Sequence, residues 1–118
     1  MKLQGFLKCI DVLYAIRVDG MEPIGNDFLR VDLVDPRGEA ESDHYRLSST
    51  AKLTAPDTYQ TGWTRLTMPD GRPHEEDTLA QVEISFVERQ SQLWHVEGWW
   101  QDKDAKVYPF AGQLSVVA

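Results

Sequence analysis

Cysteine is nearly missing from this chain: Cys9 is the single one in 118 residues. One thiol excludes an intramolecular disulfide and any multi-cysteine metal site. A free thiol suits a reducing compartment, so the cytoplasm is the expected location. Its expected role is that of a small buried apolar side chain rather than a nucleophile. Long apolar runs are missing too. Lys8 and Asp11 interrupt the stretch that begins at Leu3, so no secretory leader is expected. No stretch approaches the ~20 apolar residues that span a bilayer. Positive charge is scarce: Lys and Arg number 12 against 19 Asp and Glu, a formal net charge of −7. Nucleic acids and anionic membranes are held by basic surfaces that release counterions. Arg17, Arg30, Arg37, Arg46, Arg65, Arg72 and Arg89 form no run, so neither kind of partner is expected.

Catalytic signatures are equally sparse. Gly20, Gly25 and Gly38 are spread through turns rather than gathered into a phosphate-cradling loop. There is no Gly-x-Ser-x-Gly elbow and no histidine pair at helical metal spacing. No cofactor is expected and no metal site. Enzyme activity is disfavoured, although a small barrel can build a catalytic constellation without a linear motif.

What is present is an ordinary globular composition, 42% hydrophobic and 26% charged, with 4 Trp, 4 Tyr and 4 Phe. That is enough for one core, and residues 1–118 read as a single domain. Turn signals recur at short intervals: Asp19-Gly20, Pro23, Gly25-Asn26, Asp35-Pro36-Arg37-Gly38, Pro56-Asp57, Pro69-Asp70-Gly71 and Asp102-Lys103-Asp104. Between them, apolar residues alternate with polar ones. The alternation predicts strands over residues 27–34, 79–88, 93–101 and 106–117. Weaker strands are expected at 44–49 and 62–68, with one helical turn over 49–55 and a polar loop over 69–78. At the N-terminus, Ile10, Val12, Tyr14, Ile16 and Val18 predict a strand over 10–18, while residues 2–9 fit either a strand or a short helix.

Register follows from the same alternation. Setting Val82, Ile84 and Phe86 on the face of Trp94, Val96 and Gly98 requires an odd number of residues in the connecting loop, since a one-residue slip turns a whole face over. The same logic pairs Trp100 with Tyr108 and brings Phe110 to Gly98, where the sheet is expected to bend, as at Gly112. The expected fold is all-β: a single antiparallel sheet of about six or seven strands curled into a small barrel, to hide its edges. A two-sheet sandwich uses the same pattern, and an α+β fold would follow from a helical N-terminus.

The candidate site lies on one strand. His95, Glu97 and Trp99 share the face opposite the core, and Glu83 and Ser85 on the neighbouring strand point the same way. A histidine two residues from a carboxylate is close enough for acid–base work, with the carboxylate setting the imidazole tautomer. The plainer reading is a solvated sheet face carrying one exposed Trp. If the barrel closes, Trp94, Trp100, Tyr108, Phe110 and Phe86 either fill its interior or line an apolar cleft. His74-Glu75-Glu76-Asp77 has the composition of a metal site but not its spacing, and reads as a solvated acidic loop. Asp43-His44-Tyr45 reads as a loop-to-strand junction with weak acid–base potential.

Three functions fit these residues. The first is a non-catalytic interaction domain that binds a protein partner, or a second copy as a homodimer, through a surface that includes Trp99. The second is a binder of a small apolar or sugar-like molecule in a cleft formed with Trp100 and Tyr108. The third is a small acid–base enzyme using His95 with Glu97 or Glu83, which requires the His95 ring to open onto a concave site.

Overall fold

Alternation does close this chain into a barrel. The computed structural model describes residues 1–36, 40, 44–74 and 78–117. Its strands are β1 (Lys2–Cys9), β2 (Ala15–Ile24), β3 (Phe28–Pro36), β4 (His44–Ala55), β5 (Thr58–Gln60), β6 (Thr64–Arg65), β7 (Leu79–Arg89), β8 (Leu93–Asp102) and β9 (Val107–Val117). Apart from β5 and β6, each pairs antiparallel with its neighbour in the sequence, β1 pairs with β9, and β5 pairs with both β4 and β7. β5 and β6 are two pieces of one stave, so the ring has eight staves and no free edge. Among the described residues no helix is long and apolar enough to cross a membrane.

Side chains fill the interior. Leu3, Leu7 and Cys9 of β1 meet Ile16, Val18 and Met21 of β2, then Leu29, Val31 and Leu33 of β3. Val82, Ile84 and Phe86 of β7 join Trp94, Val96 and Trp100 of β8 and Phe110 and Leu114 of β9 in the same core. Trp100 is 0% exposed and Phe110 1%, so these aromatics are core. Leu66 enters the core from beyond β6. The break between β5 and β6 is closed by buried Thr61. Its amide donates to the Val82 carbonyl, and its hydroxyl accepts from the Val82 amide, both at 2.9 Å.

One end of the barrel is sealed by aromatics. Phe86 meets Tyr59 and Trp94 edge-on, with ring centres 5.9 and 5.2 Å away. The Arg89 guanidinium lies 4.7 Å from the Trp94 ring centre and is held by Asp57 at 2.5 Å.

Close backbone approaches, which let a sheet bend, occur at two glycines of β8 and β9. A methyl on Gly98 would stand 1.9 Å from the Glu83 carbonyl oxygen, and one on Gly112 would stand 2.3 Å from that of Phe6. Only a residue without Cβ allows such an approach. Gly98 pairs with Phe110 and Trp100 with Tyr108, the expected register. Val82, Ile84 and Phe86 pair with Trp100, Gly98 and Val96, also as expected. The odd residue, however, is not in the loop. It is Val87, bulged out of β7, after which Glu88 pairs with His95 and Arg89 with Trp94.

Several local expectations are corrected. Residues 10–18 are not one strand. The chain reverses over 10–14, with the Cys9 amide bonded to the Tyr14 carbonyl at 3.1 Å, and residues 2–9 are strand. Folding back sets Leu7 beside Ile16 and Gly5 beside Val18, which buries both strands' apolar sets. Asp19-Gly20 is a bulge within β2, not a turn, and Pro23 also lies in that strand. Residues 49–55 are not helical but continue β4, where Leu47 and Ala51 are buried and Ser49 accepts a hydrogen bond from Thr64. Of residues 62–68 only Thr64–Arg65 form a strand. β5 is too short to leave an alternation in the sequence. Among the described residues the strand count is therefore nine, in eight staves, rather than six or seven. Arg37, Gly38, Asp43, Glu75, Glu76 and Asp77 lie outside the described residues.

Candidate functional site on the outer face of β7, β8 and β9

Register sorts the outward side chains of this wall into rungs. Gln60, Glu83, Trp99 and Pro109 form one. Thr58, Ser85, Glu97, Ala111 and Lys8 form the next. Glu88, His95 and Gln113 form the third. The first two rungs surround a depression of about 370 Å³ lined by Ile10, Glu83, Ser85, Glu97, Pro109 and Ala111, with Gly98 and Phe110 in its floor. Ala111 and Gly98 leave it open because neither carries a long side chain. Ile10 reaches it because the β1–β2 turn docks on β9, its amide donating to the Pro109 carbonyl at 2.9 Å. Ile10 is 67% exposed, and Phe6, outward on β1, 61%.

The expected site residues separate. Glu83 and Glu97 do share this concave surface. His95 does not: it opens onto a crevice of about 10 Å³ with Glu88, Gln90, Leu93 and Gln113. His95 stands one rung beyond Glu97, and the bulge at Val87 sets Glu88 opposite it. The His95 Nε2 to Glu97 Oε1 distance is 3.7 Å, an ion pair only when the imidazole is protonated. Trp99 is on the same face but half-buried, not exposed, and does not line the depression.

Trp100 and Tyr108 belong to the other side of the wall and cannot join an outer surface. Trp100 is wholly buried, its indole N–H donating to Asp102 at 3.2 Å. Tyr108 is half-buried at the end where β8 turns into β9, 6.5 Å from Tyr14 between ring centres, with the Lys106 ammonium 5.2 Å from its ring. His74 stacks on Tyr45 with ring centres 4.4 Å apart. Among the described residues no group of three or more His, Cys, Asp or Glu could hold a metal ion. Cys9 is buried.

Charge on this wall is unbalanced. Among the described residues no lysine or arginine pairs with Glu83 or Glu97. Ser85 is engaged, its hydroxyl 3.0 Å from that of Thr58. The hydrogen-bonded row from Gln60 through Gln81 to Gln101 borders the surface without contributing charge.

The sequence placed Glu83, Ser85 and Glu97 together but passed over Pro109, Ala111 and Ile10. The first two were within reach: alternation opposite Phe110 and Gly112 puts them outward, and the Trp100–Tyr108 register puts them beside Trp99 and Glu97. Ile10 left no such signal, because the chain reversal hides inside an alternation that runs on by coincidence.

Compared with protein-family models, with curated proteins and with solved structures, the chain matches none.

Proposed function

We propose that this chain is a non-catalytic binding domain and that its recognition surface is the outer wall of β7, β8 and β9. The observation that carries this reading is the depression itself: carboxylates without a cationic partner beside exposed apolar side chains, on a barrel whose interior is already filled. Ile10 stands in water on the rim of the same depression as Glu83 and Glu97, an apolar and acidic combination that suits an interaction surface. Enzymatic use of His95 is less favoured, because the imidazole meets Glu97 alone and opens onto a different and smaller concavity from the one that holds Glu83 and Glu97. Small-molecule binding inside the barrel is less favoured as well, because Trp100 and Phe110 occupy it.

The test is amide chemical-shift mapping of the whole ¹⁵N-labelled chain against a fragment and peptide panel. Shifts gathered at Ser85, Glu97 and Ala111 are expected. Shifts gathered at Tyr14, Tyr108 and the Trp100 indole would move the binding site to the barrel end and overturn the proposal, as would no response to any compound.

A further inference from the structure

The occupant of this depression can be narrowed by its chemistry. Accepting the outer wall as the recognition surface, we infer that it takes an arginine- or lysine-bearing segment of a partner protein, with the cation at Glu83 and Glu97 and a neighbouring apolar side chain on Ile10 and Pro109.

Three observations lead there. Among the described residues the lining holds two carboxylates and no cationic side chain, Lys8 standing outside it beyond Ala111, so a positive group gains from both carboxylates and a negative one is repelled. A guanidinium suits such a site because it bonds carboxylates in a fixed fork. The apolar side of the depression is Ile10, Pro109 and Ala111, and Ile10 is 67% exposed. That surface is longer than one small cation would cover, and it fits a chain carrying a cation and an apolar neighbour. A second copy fits less well. Each copy has a net charge of −7, and a two-fold interface centred here would set Glu83 and Glu97 against their own equivalents.

The experiment selects a random linear peptide library displayed on phage against the whole chain at neutral pH, then measures the selected peptides as free synthetic compounds. Peptides sharing a basic residue beside an apolar one are expected. Their affinity should fall roughly tenfold or more in the Glu83→Gln, Glu97→Gln double variant, fall also in Ile10→Ser, and weaken as sodium chloride rises. A urea midpoint close to the parent's shows that each variant is folded. Peptides weakened by Ile10→Ser but indifferent to the glutamine pair would overturn the cation while leaving the wall as the binding surface. Peptides indifferent to both variants, or a library that enriches nothing, would overturn the wall itself. Arginine amide binding as tightly as the selected peptides would overturn the protein segment in favour of a free cation. A dimer in sedimentation equilibrium that the glutamine pair disrupts would replace the partner with a second copy.

Discussion

Two outer walls of this barrel carry similar side chains in opposite states. On β2, β3 and β4 the charges close on one another. Arg46 grips Asp32 with two nitrogens at 2.9 Å, reaches Asp19 at 3.1 Å, and donates to the Pro69 carbonyl. Ser48 donates to Asp32 at 2.9 Å and Arg17 holds Asp19 at 2.6 Å. On β7, β8 and β9 the carboxylates Glu83 and Glu97 have no such arginine, and their strands carry apolar neighbours instead. The first wall spends its charge on the fold: Arg46 ties β4 to the chain beyond β6, where its amide and carbonyl also bridge to Thr67. The second leaves its charge available. Charged residues on a sheet exterior are therefore not one category, and partner geometry separates those that hold the barrel from those that face outward.

The largest effect should come from removing the bend beneath the second wall. Gly98→Ala would drive a methyl into the Glu83 backbone and against the Phe110 ring. About 3 kcal/mol should be lost, the upper end for overpacking, read as a lower urea midpoint. Gly62→Ala, with nothing within 4 Å of the new methyl, should stay within about 0.5 kcal/mol of the parent. Equal effects of the two substitutions would remove close packing at Gly98 as the cause of the bend.

Next in size is the first wall's arginine. Arg46→Met should cost about 1.5 kcal/mol, the charge-assisted bonds being discounted for a side chain that remains 24% exposed. It should also speed hydrogen exchange at the Thr67 amide, which bonds the Arg46 carbonyl at 3.0 Å. Unchanged exchange there would mean that the strap is held by its backbone bonds alone.

The same wall should respond to acid. Burial pushes the Asp32 carboxyl up, but hydrogen bonds from Arg46 and Ser48 and the charges of Arg46 and Arg30 outweigh it and hold the group below its ordinary value. A depressed carboxylate contributes stability in full above its unfolded value of about 4 and loses it as pH falls through the lower folded value. The stability gap between parent and Asp32→Asn should therefore narrow as pH is lowered from about 4. Urea titrations stepped from neutral to pH 3 measure it. A gap that stays constant would mean that hydrogen-bond shape, not charge, holds Arg46.

Much of the second wall was written in the alternation of residues 79–117. The inward set fixes the faces, and the requirement that apolar residues face one another fixes the register from Val82 to Phe86 and from Trp100 to Phe110. What alternation could not show is where parity changes. A loop residue and a bulged residue satisfy the same count, and placing the extra residue at Val87 rather than in the loop is what sets Glu88, and not Val87, opposite His95. The first wall was hidden for a different reason. Asp19 and Arg46 lie far apart in the chain, and Asp19-Gly20 has the letters of a turn while sitting in a bulge. Its links to Pro69 and Thr67 come from the chain beyond β6, and the stave made of β5 and β6 is broken into pieces too short to show a period.

The smallest effect should be the most telling. Replacing Glu83 and Glu97 together by glutamine removes two charges at nearly constant shape. If these carboxylates serve the fold, they must lose partners, and stability must fall as it does at Arg46. No lysine or arginine pairs with them among the described residues, and the parent carries a net charge of −7, so removing negative charge slightly relieves self-repulsion. The double variant should therefore lie within about 0.5 kcal/mol of the parent, level or slightly more stable. A loss above about 1 kcal/mol, comparable to that expected for Arg46→Met, would show that both walls use their charge in the same way. A neutral result, together with a cost at Arg46, leaves the two carboxylates with no work to do inside this chain, and the group that answers them must then come from outside it.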